Sequence, residues 1–181
     1  MGAHIGYISL VAGRLVGLSG KVFAFEADPG NALRITAHVA MNSMPQVELV
    51  GAAVWSECKQ LSFHQAAATS SRNTGAVANR EQGKAAEGMI VVEAVTLDYF
   101  AAGHPSPALV KIDVEGAEEE VLKGADQVFR RSQPTLICEV HNERAATGVA
   151  AWLANMGYRS EWLPDRSEFP RHLVARFSET S

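Results

Sequence analysis

The stretch that decides the fold is KVFAFEADPGN, residues 21–31. Val22–Phe25 is a short, continuous apolar run, which is typical of a strand covered on both faces. Asp28 followed by Pro29 has the residue types of a helix N-cap and a first helical position. A buried strand that leads directly into a helix is the repeating unit of α/β proteins. Glu26 lies between the two, and a carboxylate at the end of a buried strand needs an explanation.

The same alternation continues along the chain. Apolar runs predict strands at Val47–Val54, at LSFHQ (residues 61–65), and at Met89–Thr96, Ala108–Ile112, Thr135–Val140, Tyr158–Leu163 and His172–Phe177. Periodicity and capping residues predict helices at residues 5–16, from Asp28-Pro29 to about Asn42, and at Gly116–Arg130 and Thr147–Met156. In the first helix, the apolar face is predicted to contain Ile5, Ile8, Leu10, Val11, Leu15 and Val16. The pattern predicts one α/β domain over residues 1–181 with a mostly parallel sheet. Residues 66–87 are expected to form a functional flap.

Composition and charge bear on the partners and the cellular location of the protein. The net charge of −4 leaves no basic footprint, so nucleic acid is not expected as a partner. No stretch approaches the roughly 20 apolar residues of a membrane span, so no membrane partner is expected. The two cysteines, Cys58 and Cys138, are too few for a disulfide framework and lack metal-site spacing. A reducing, cytoplasmic location is therefore predicted.

Three predicted strands lead into acidic or histidine side chains. The first ends at Glu26, the strand at 108–112 is followed by Asp113 and Glu115, and the strand at 135–140 carries Glu139 and leads into His141. Ligands of open α/β sheets bind beyond the carboxyl ends of the strands. A single binding site at this edge of the sheet is therefore predicted.

Glu26 follows a glycine-containing turn, GAHIGY (residues 2–7), by about twenty residues, and at that spacing it can accept both hydroxyls of a ribose. Such charge-assisted hydrogen bonds contribute about 1.5–3 kcal/mol each. In the alternative, Glu26 only precedes a helix, where an acid contributes about 0.3–1 kcal/mol. Asp28 already has the capping role, which favours the ribose. The turn is not G-x-G-x-x-G, and this counts against a dinucleotide cofactor.

Four segments carry a resemblance to a known family: residues 2–31 (GAHIGYISLVAGRLVGLSGKVFAFEADPGN), 95–100 (VTLDYF), 110–125 (VKIDVEGAEEEVLKGA) and 134–142 (PTLICEVHN). In their order and spacing they resemble the FkbM family of S-adenosylmethionine-dependent methyltransferases. The resemblance implies a Rossmann-like class I methyltransferase sheet of seven strands whose last two form an antiparallel pair. It also implies S-adenosylmethionine as cofactor, and methyl transfer to a hydroxyl of a small-molecule acceptor such as a sugar or another natural-product scaffold.

Carried over position by position, the resemblance implies two groups of site residues. The cofactor would be held by Gly2, His4, Gly6, Glu26, Ala27, Asn31, Ala53 and Val54, with Asp113 beside the sulfonium. The catalytic candidates would be His141, Asp113, Glu115 and Glu139.

Among the catalytic candidates, His141 is the first choice of base, because its ordinary pKa of about 6.5 lies near the working pH. Asp113 is the second choice, and it can instead complement the sulfonium or bind a metal. Glu139 lies inside an apolar run, so a structural carboxylate remains an equal alternative. Glu118, Glu119 and Glu120 are expected to be solvated acids at a helix start. His4, His38, His64, His104 and His172 show no metal-ligand spacing, and no metal site is predicted.

One departure from the family concerns the first strand. In the family a strand precedes the glycine turn, whereas here Met1 stands where that strand should end. The missing strand would lie between those at 22–25 and 108–112, which leaves two sheet edges open to self-association. A truncated chain is favoured over a strand from another chain or a rearranged fold, and weak or absent binding of S-adenosylmethionine is expected. The alternative functions are a degenerate, non-catalytic binding module and a nicotinamide-dependent oxidoreductase.

Overall fold

Strands and helices alternate along the chain in a computed structural model that describes residues 1–64, 76–77, 88–164 and 166–178. The helices are α1 (Tyr7–Val16), α2 (Pro29–Met41), α3 (Leu97–Ala101), α4 (Glu118–Lys123), α5 (Asp126–Ser132) and α6 (Glu143–Asn155). The strands are β1 (Val22–Phe25), β2 (Val47–Val50), β3 (Ala53–Val54), β4 (Lys59–His64), β5 (Ala76–Val77), β6 (Met89–Val95), β7 (Leu109–Ile112), β8 (Thr135–Val140), β9 (Tyr158–Trp162) and β10 (Arg171–Phe177). The predicted α/β class is confirmed.

The chain divides into two compact units. The first comprises Met1–Ala53 and Lys59–Ala94, and the second comprises Val54–Cys58 and Val95–Ser181. That the chain forms one domain over residues 1–181 stays a prediction, and the two units are described in turn.

In the first unit, β1 and β2 form a parallel pair, and Val22 lies opposite Val47 at its start. Ala24, Ile35, Met44 and Val47 form a buried apolar cluster between these strands and the helices that flank them. β4 pairs antiparallel with both β6 and β5. The antiparallel pairing in this stretch was not predicted. The predicted flap at 66–87 lies outside the described residues, except for the two residues of β5.

The buried face of α1 differs from the prediction. Ile8, Val11, Leu15 and Val16 are exposed, whereas Ser9 and Gly13 are buried. A side chain at Gly13 would overlap Val47, so the helix approaches β2 through its smallest residue. Apolar periodicity therefore located the helix correctly but identified the wrong face.

The second unit contains a four-stranded sheet in the order β7-β8-β10-β9. β7 and β8 are parallel, and β10 is antiparallel to both β8 and β9, which confirms the antiparallel C-terminal pair. Phe129 of α5 is almost fully buried and packs edge-on against Trp152 of α6, with ring centroids 5.0 Å apart. It also contacts Tyr158 of β9 at 5.4 Å, so one ring joins two helices to the sheet.

Three predicted boundaries are wrong, each because of a short-range feature. The helix predicted at Gly116–Arg130 is divided into α4 and α5 at Gly124, where a Cβ would overlap the Trp55 carbonyl. α6 begins earlier than Thr147, because the Asn142 side chain accepts a hydrogen bond from the Ala145 N–H at 2.9 Å and caps the helix at that point.

The third wrong boundary is the strand predicted at Val47–Val54. It stops at Val50, where a tight turn brings the Ala52 N–H to the Val50 carbonyl at 2.9 Å.

No strand precedes α1 in the residues that the structure describes, and β1 pairs with β2 in a separate sheet from β7. The strand order that the resemblance implied, in which one further strand separates β1 from β7, stays a prediction. Of the helices described above, none is long and apolar enough to cross a membrane.

Removing the Phe129 ring should test whether it anchors the second unit. Phe129→Ala is expected to lower the free energy of unfolding by about 3–5 kcal/mol, because it leaves a cavity between two helices and the sheet. Urea unfolding monitored by circular dichroism measures this loss. Tyr99→Ala is the matched control: its side chain is exposed, and the loss should stay within about 0.5 kcal/mol. Equal losses in the two variants would contradict the packing described here.

Candidate functional site

The glycine turn, residues 2–6, contacts the carboxyl end of β1. The Ala3 N–H donates to the Phe25 carbonyl at 3.0 Å, and the Gly6 N–H donates to the Ala3 carbonyl at 2.8 Å. φ is positive at Gly2, His4 and Gly6, with values of 68°, 54° and 89°. Gly6 is the more constrained glycine, because a Cβ there would lie 3.2 Å from Ile35 Cγ1. The turn therefore needs glycine for both its conformation and its packing.

Glu26 connects this turn to the start of α2. Its buried carboxylate accepts the His4 N–H on Oε2 at 2.7 Å and the Asp28 N–H on Oε1 at 2.9 Å. Asp28 itself caps α2, since its Oδ1 accepts the Asn31 N–H at 2.9 Å. Glu26 is thus not the cap of the helix. Each of its oxygens accepts one backbone N–H and retains capacity for a further donor.

Burial raises the pKa of Glu26, and the hydrogen bonds from the backbone of Asp28 and His4 offset this only in part. The Nε2 atom of His4 is also buried, and no described residue hydrogen-bonds to it. A buried polar atom without a partner is uncommon and calls for an explanation such as a water or a ligand.

Of the other residues predicted to hold the cofactor, Ala27 and Asn31 lie close to Glu26 along the chain, whereas Ala53 and Val54 form a separate strand. Ala27 directly follows Glu26 and is half-buried, and Asn31 is buried on the first turn of α2. Ala53 and Val54 form β3, so the prediction that they end the strand after α2 is wrong: that strand ends at Val50. Their contact with adenine stays a prediction.

In the second unit, five polar side chains come together where β7 and β8 end. This His141 cluster consists of Asp113, Glu115, Glu118, Glu139 and His141. Because β7 and β8 are neighbouring parallel strands, their carboxyl ends lie at the same edge of the sheet. His141 Nδ1 lies 2.6 Å from Glu118 Oε1. His141 Nε2 faces Glu115 Oε2 at 3.5 Å and Asp113 Oδ1 at 3.8 Å. All four predicted catalytic residues therefore belong to one cluster.

Glu118 is the member that sequence reasoning missed. It was predicted to be a solvated acid, but its side chain is 0% exposed. Its Oε1 also accepts the Gly116 N–H at 3.0 Å, whereas its Oε2 is buried and has no partner among the described residues. Helical spacing carried a signal: Val121 and Leu122, three and four residues later, are fully buried on the same face.

Two acids of the cluster pair with basic side chains. Asp113 Oδ2 lies 2.6 Å from Lys111 Nζ, and Glu139 lies 3.4 Å from both Arg166 Nη1 and His172 Nε2.

The pKa of His141 reflects its surroundings. Burial lowers the pKa of His141, but the hydrogen bond to Glu118 and the charges of Glu118, Glu115 and Asp113 outweigh burial and raise it overall.

The cluster also has the composition of a cation site. Asp113, Glu139 and His141 each offer one ligand atom, and these atoms all lie within 4.8 Å of one another. Histidine spacing in the sequence could not indicate a metal site here, because only one of the three groups is a histidine. The three groups also come from the ends of two strands, β7 and β8, that are separated in sequence.

Most of the residues predicted to hold the cofactor and the acceptor thus fall into two groups, one in each unit, whereas Ala53 and Val54 form β3 at the boundary between the units. The first is built around Glu26 and the second around His141. The expectation that both groups line one cleft stays a prediction.

Comparison with known proteins gives a consistent picture. A model of the methyltransferase FkbM domain matches residues 1–160. Methyltransferase FkbM from Methylobacillus flagellatus KT has a similar structure, with a TM-score of 0.69 at 16% identity over 96% of this chain and 41% of that one. Precorrin-6y C5,15-methyltransferase from Geobacter metallireducens GS-15 has a TM-score of 0.60 at 15% identity, over 98% of this chain and 77% of that one. A putative rRNA methylase from Clostridium thermocellum has a TM-score of 0.58 at 12% identity, over 98% of this chain and 84% of that one. No curated protein matches the chain.

These similarities confirm the predicted Rossmann-like fold of class I methyltransferases. The chain spans about two fifths of the FkbM structure from Methylobacillus, 41% of its length.

The raised pKa of Glu26 predicts a pH-dependent contribution to stability. Its pKa in the folded chain lies above the ordinary value of 4.5. The stability that Glu26 contributes is therefore fully present below its unfolded-state pKa and is lost as the pH rises through its folded-state pKa. Wild type should lose stability relative to Glu26→Gln, which cannot ionise, as the pH rises above the ordinary carboxyl pKa of 4.5. Urea unfolding of both proteins measures the difference, and a difference that does not change with pH would contradict the burial of this charge.

Proposed function

Because the chain belongs to the methyltransferase FkbM domain family, we propose that it transfers a methyl group from S-adenosylmethionine to a hydroxyl of a small molecule. The acceptor class is a sugar or another natural-product scaffold. The precorrin methyltransferase and the putative rRNA methylase share the fold but are named for different acceptors, so the acceptor is part of the proposal and does not follow from the fold.

The observation that carries the proposal is the carboxylate of Glu26 at the end of β1. Backbone N–H groups of His4 and Asp28 hold it in place and leave each oxygen able to accept one more hydrogen bond. A ribose presents two adjacent hydroxyl donors, which match these two acceptors.

The turn residues fit the same nucleoside. The Nε2 atom of His4, which has no partner among the described residues, offers a further polar contact. Positions 2 and 6 have positive φ and are glycine, so the backbone there carries no side chain that would block a ligand. Gly2, His4, Gly6, Glu26, Ala27, Asn31, Ala53 and Val54 would hold S-adenosylmethionine, with Asp113 beside its sulfonium.

When bound, S-adenosylmethionine would supply a methyl group from its sulfonium, and the sulfur would be left as a neutral thioether. The chain then has to align the acceptor and accept its proton. The His141 cluster has the groups for this. Glu118 engages Nδ1 of His141, which leaves Nε2 as the ring nitrogen available to an acceptor. Asp113, Glu115 and Glu139 add negative charge around His141, and this charge suits the positively charged sulfonium of the methyl donor.

The partners expected from the sequence remain part of the proposal. These are a hydroxylated small molecule, no nucleic acid, no membrane, and self-association through open sheet edges, all in the cytoplasm. The net charge of −4 supports the expectation on nucleic acid.

Replacing Glu26 tests the cofactor assignment. Glu26→Ala is expected to weaken the binding of adenosylhomocysteine by about ten- to a hundredfold, since it removes a charge-assisted acceptor. Calorimetry, or ligand-observed NMR where binding is weak, measures the dissociation constant. Glu48→Ala is the matched control: Glu48 is an exposed glutamate of β2 paired with Lys21, and binding should not change.

Glu26→Gln shows whether a loss of binding comes from charge or from misfolding, because it keeps the side-chain shape. Equal weakening by Glu26→Ala and Glu48→Ala would contradict the assignment. Binding of NAD in place of adenosylhomocysteine would favour the oxidoreductase. Binding of adenosylhomocysteine without transfer of labelled methyl to any of a panel of hydroxylated acceptors would favour the non-catalytic module.

A further inference from the structure

The His141 cluster holds more carboxylates than permanently charged basic side chains. Lys111 pairs with Asp113 at 2.6 Å, and Arg166 pairs with Glu139 at 3.4 Å. The other two carboxylates, those of Glu115 and Glu118, face the ring of His141, one on each nitrogen. Four carboxylates thus meet two fixed cations and two imidazoles, those of His141 and His172. An extra cation would stabilise this arrangement.

The positions of three ligand atoms suit such a cation. Lys111 holds Oδ2 of Asp113, so the other oxygen, Oδ1, is the one that faces His141 Nε2 at 3.8 Å. With Glu139, these groups place their ligand atoms within 4.8 Å of one another. A cation about 2.0–2.2 Å from each ligand holds neighbouring ligand atoms roughly 3–4 Å apart.

Glu118 supplies the independent observation. Its carboxylate is completely buried, and its Oε2 has no hydrogen-bond partner among the described residues. A buried, incompletely satisfied carboxylate costs free energy and calls for a reason. Its other oxygen lies 2.6 Å from His141 Nδ1 and so directs Nε2 towards Asp113. A carboxylate on the second nitrogen is the usual support of a histidine that binds a metal.

We propose that Asp113, Glu139 and His141 bind one divalent cation, with Glu118 holding His141 in orientation. Two carboxylate oxygens and one imidazole nitrogen suit Mn²⁺ or Mg²⁺, which keep further positions for oxygen ligands.

The role of the cation rests on the proposed function. An acceptor hydroxyl bound at an open position would lose its proton to solvent more readily, because the cation lowers the pKa of the hydroxyl. In that arrangement His141 is a ligand and not the base that its sequence position suggested.

Mn²⁺ binding tests the site directly. Titration of the wild-type chain, with free Mn²⁺ followed by electron paramagnetic resonance, should show one saturable site that Mg²⁺ displaces. Asp113→Asn, Glu139→Gln and His141→Gln should each weaken this binding at least about tenfold, and Glu118→Gln by about ten- to a hundredfold. Glu161→Gln is the matched control, since Glu161 is an exposed glutamate of β9 paired with Arg176, and binding should stay at the wild-type level.

Circular dichroism of each variant shows whether it folds, and the interpretation uses the folded ones. The absence of saturable Mn²⁺ binding up to about millimolar concentration would overturn the proposal. Binding that the Asp113, Glu139 and His141 substitutions leave unchanged would also overturn it. The measurement needs neither S-adenosylmethionine nor an acceptor. A chain that binds Mn²⁺ but not adenosylhomocysteine would therefore support the metal site and reject the proposed function.

Discussion

The buried carboxylate of Glu118 is the constraint on which the His141 cluster depends. An uncompensated charge in a protein interior costs several kcal/mol, so its neighbours must be fixed to offset that cost. The Gly116 N–H and the His141 ring do this from two directions. Gly116 can donate because φ is positive there and at Glu115, with values of 96° and 51°. One carboxylate therefore fixes both the turn after β7 and the residue after β8.

Glu26 fulfils a similar function in the first unit. It follows β1, is buried, and is held by two backbone N–H groups, one from the glycine turn and one from the start of α2. In both places a carboxylate joins segments that are distant in sequence, and its orientation is set by hydrogen bonds from the chain itself. A site fixed in this way loses less conformational entropy when it binds a ligand.

The sequence predicted the strand-end acids and most of the strands because both depend on local pattern. A continuous apolar run marks β1 and mostly apolar runs mark β7 and β8, and the residue after a buried strand must lie at the edge of the sheet. The errors arose where close packing overrides periodicity. Gly13 lets α1 approach β2 through small residues, and Gly124 interrupts a helix that its neighbours favour.

Glu118 was misjudged for a related reason. An acid at the start of a helix is ordinarily solvated, and only the burial of Val121 and Leu122 on the same face shows otherwise. The cation site could not be found from spacing, because its ligands come from two strands and include one histidine. Ligands with that distribution become visible only when the register of β7 and β8 is known.

Similarity of fold does not identify the methyl acceptor of this chain. The chain shares its fold with two methyltransferases, at 15% and 12% identity, that are named for different acceptors. Methyl transfer requires mainly alignment and removal of one proton, since a thioether leaves without protonation. Under the proposed function, side chains held at strand ends would accept the proton, and the choice of acceptor would fall to other parts of the chain. Loops carry that choice in many α/β enzymes because they can change without disturbing the sheet.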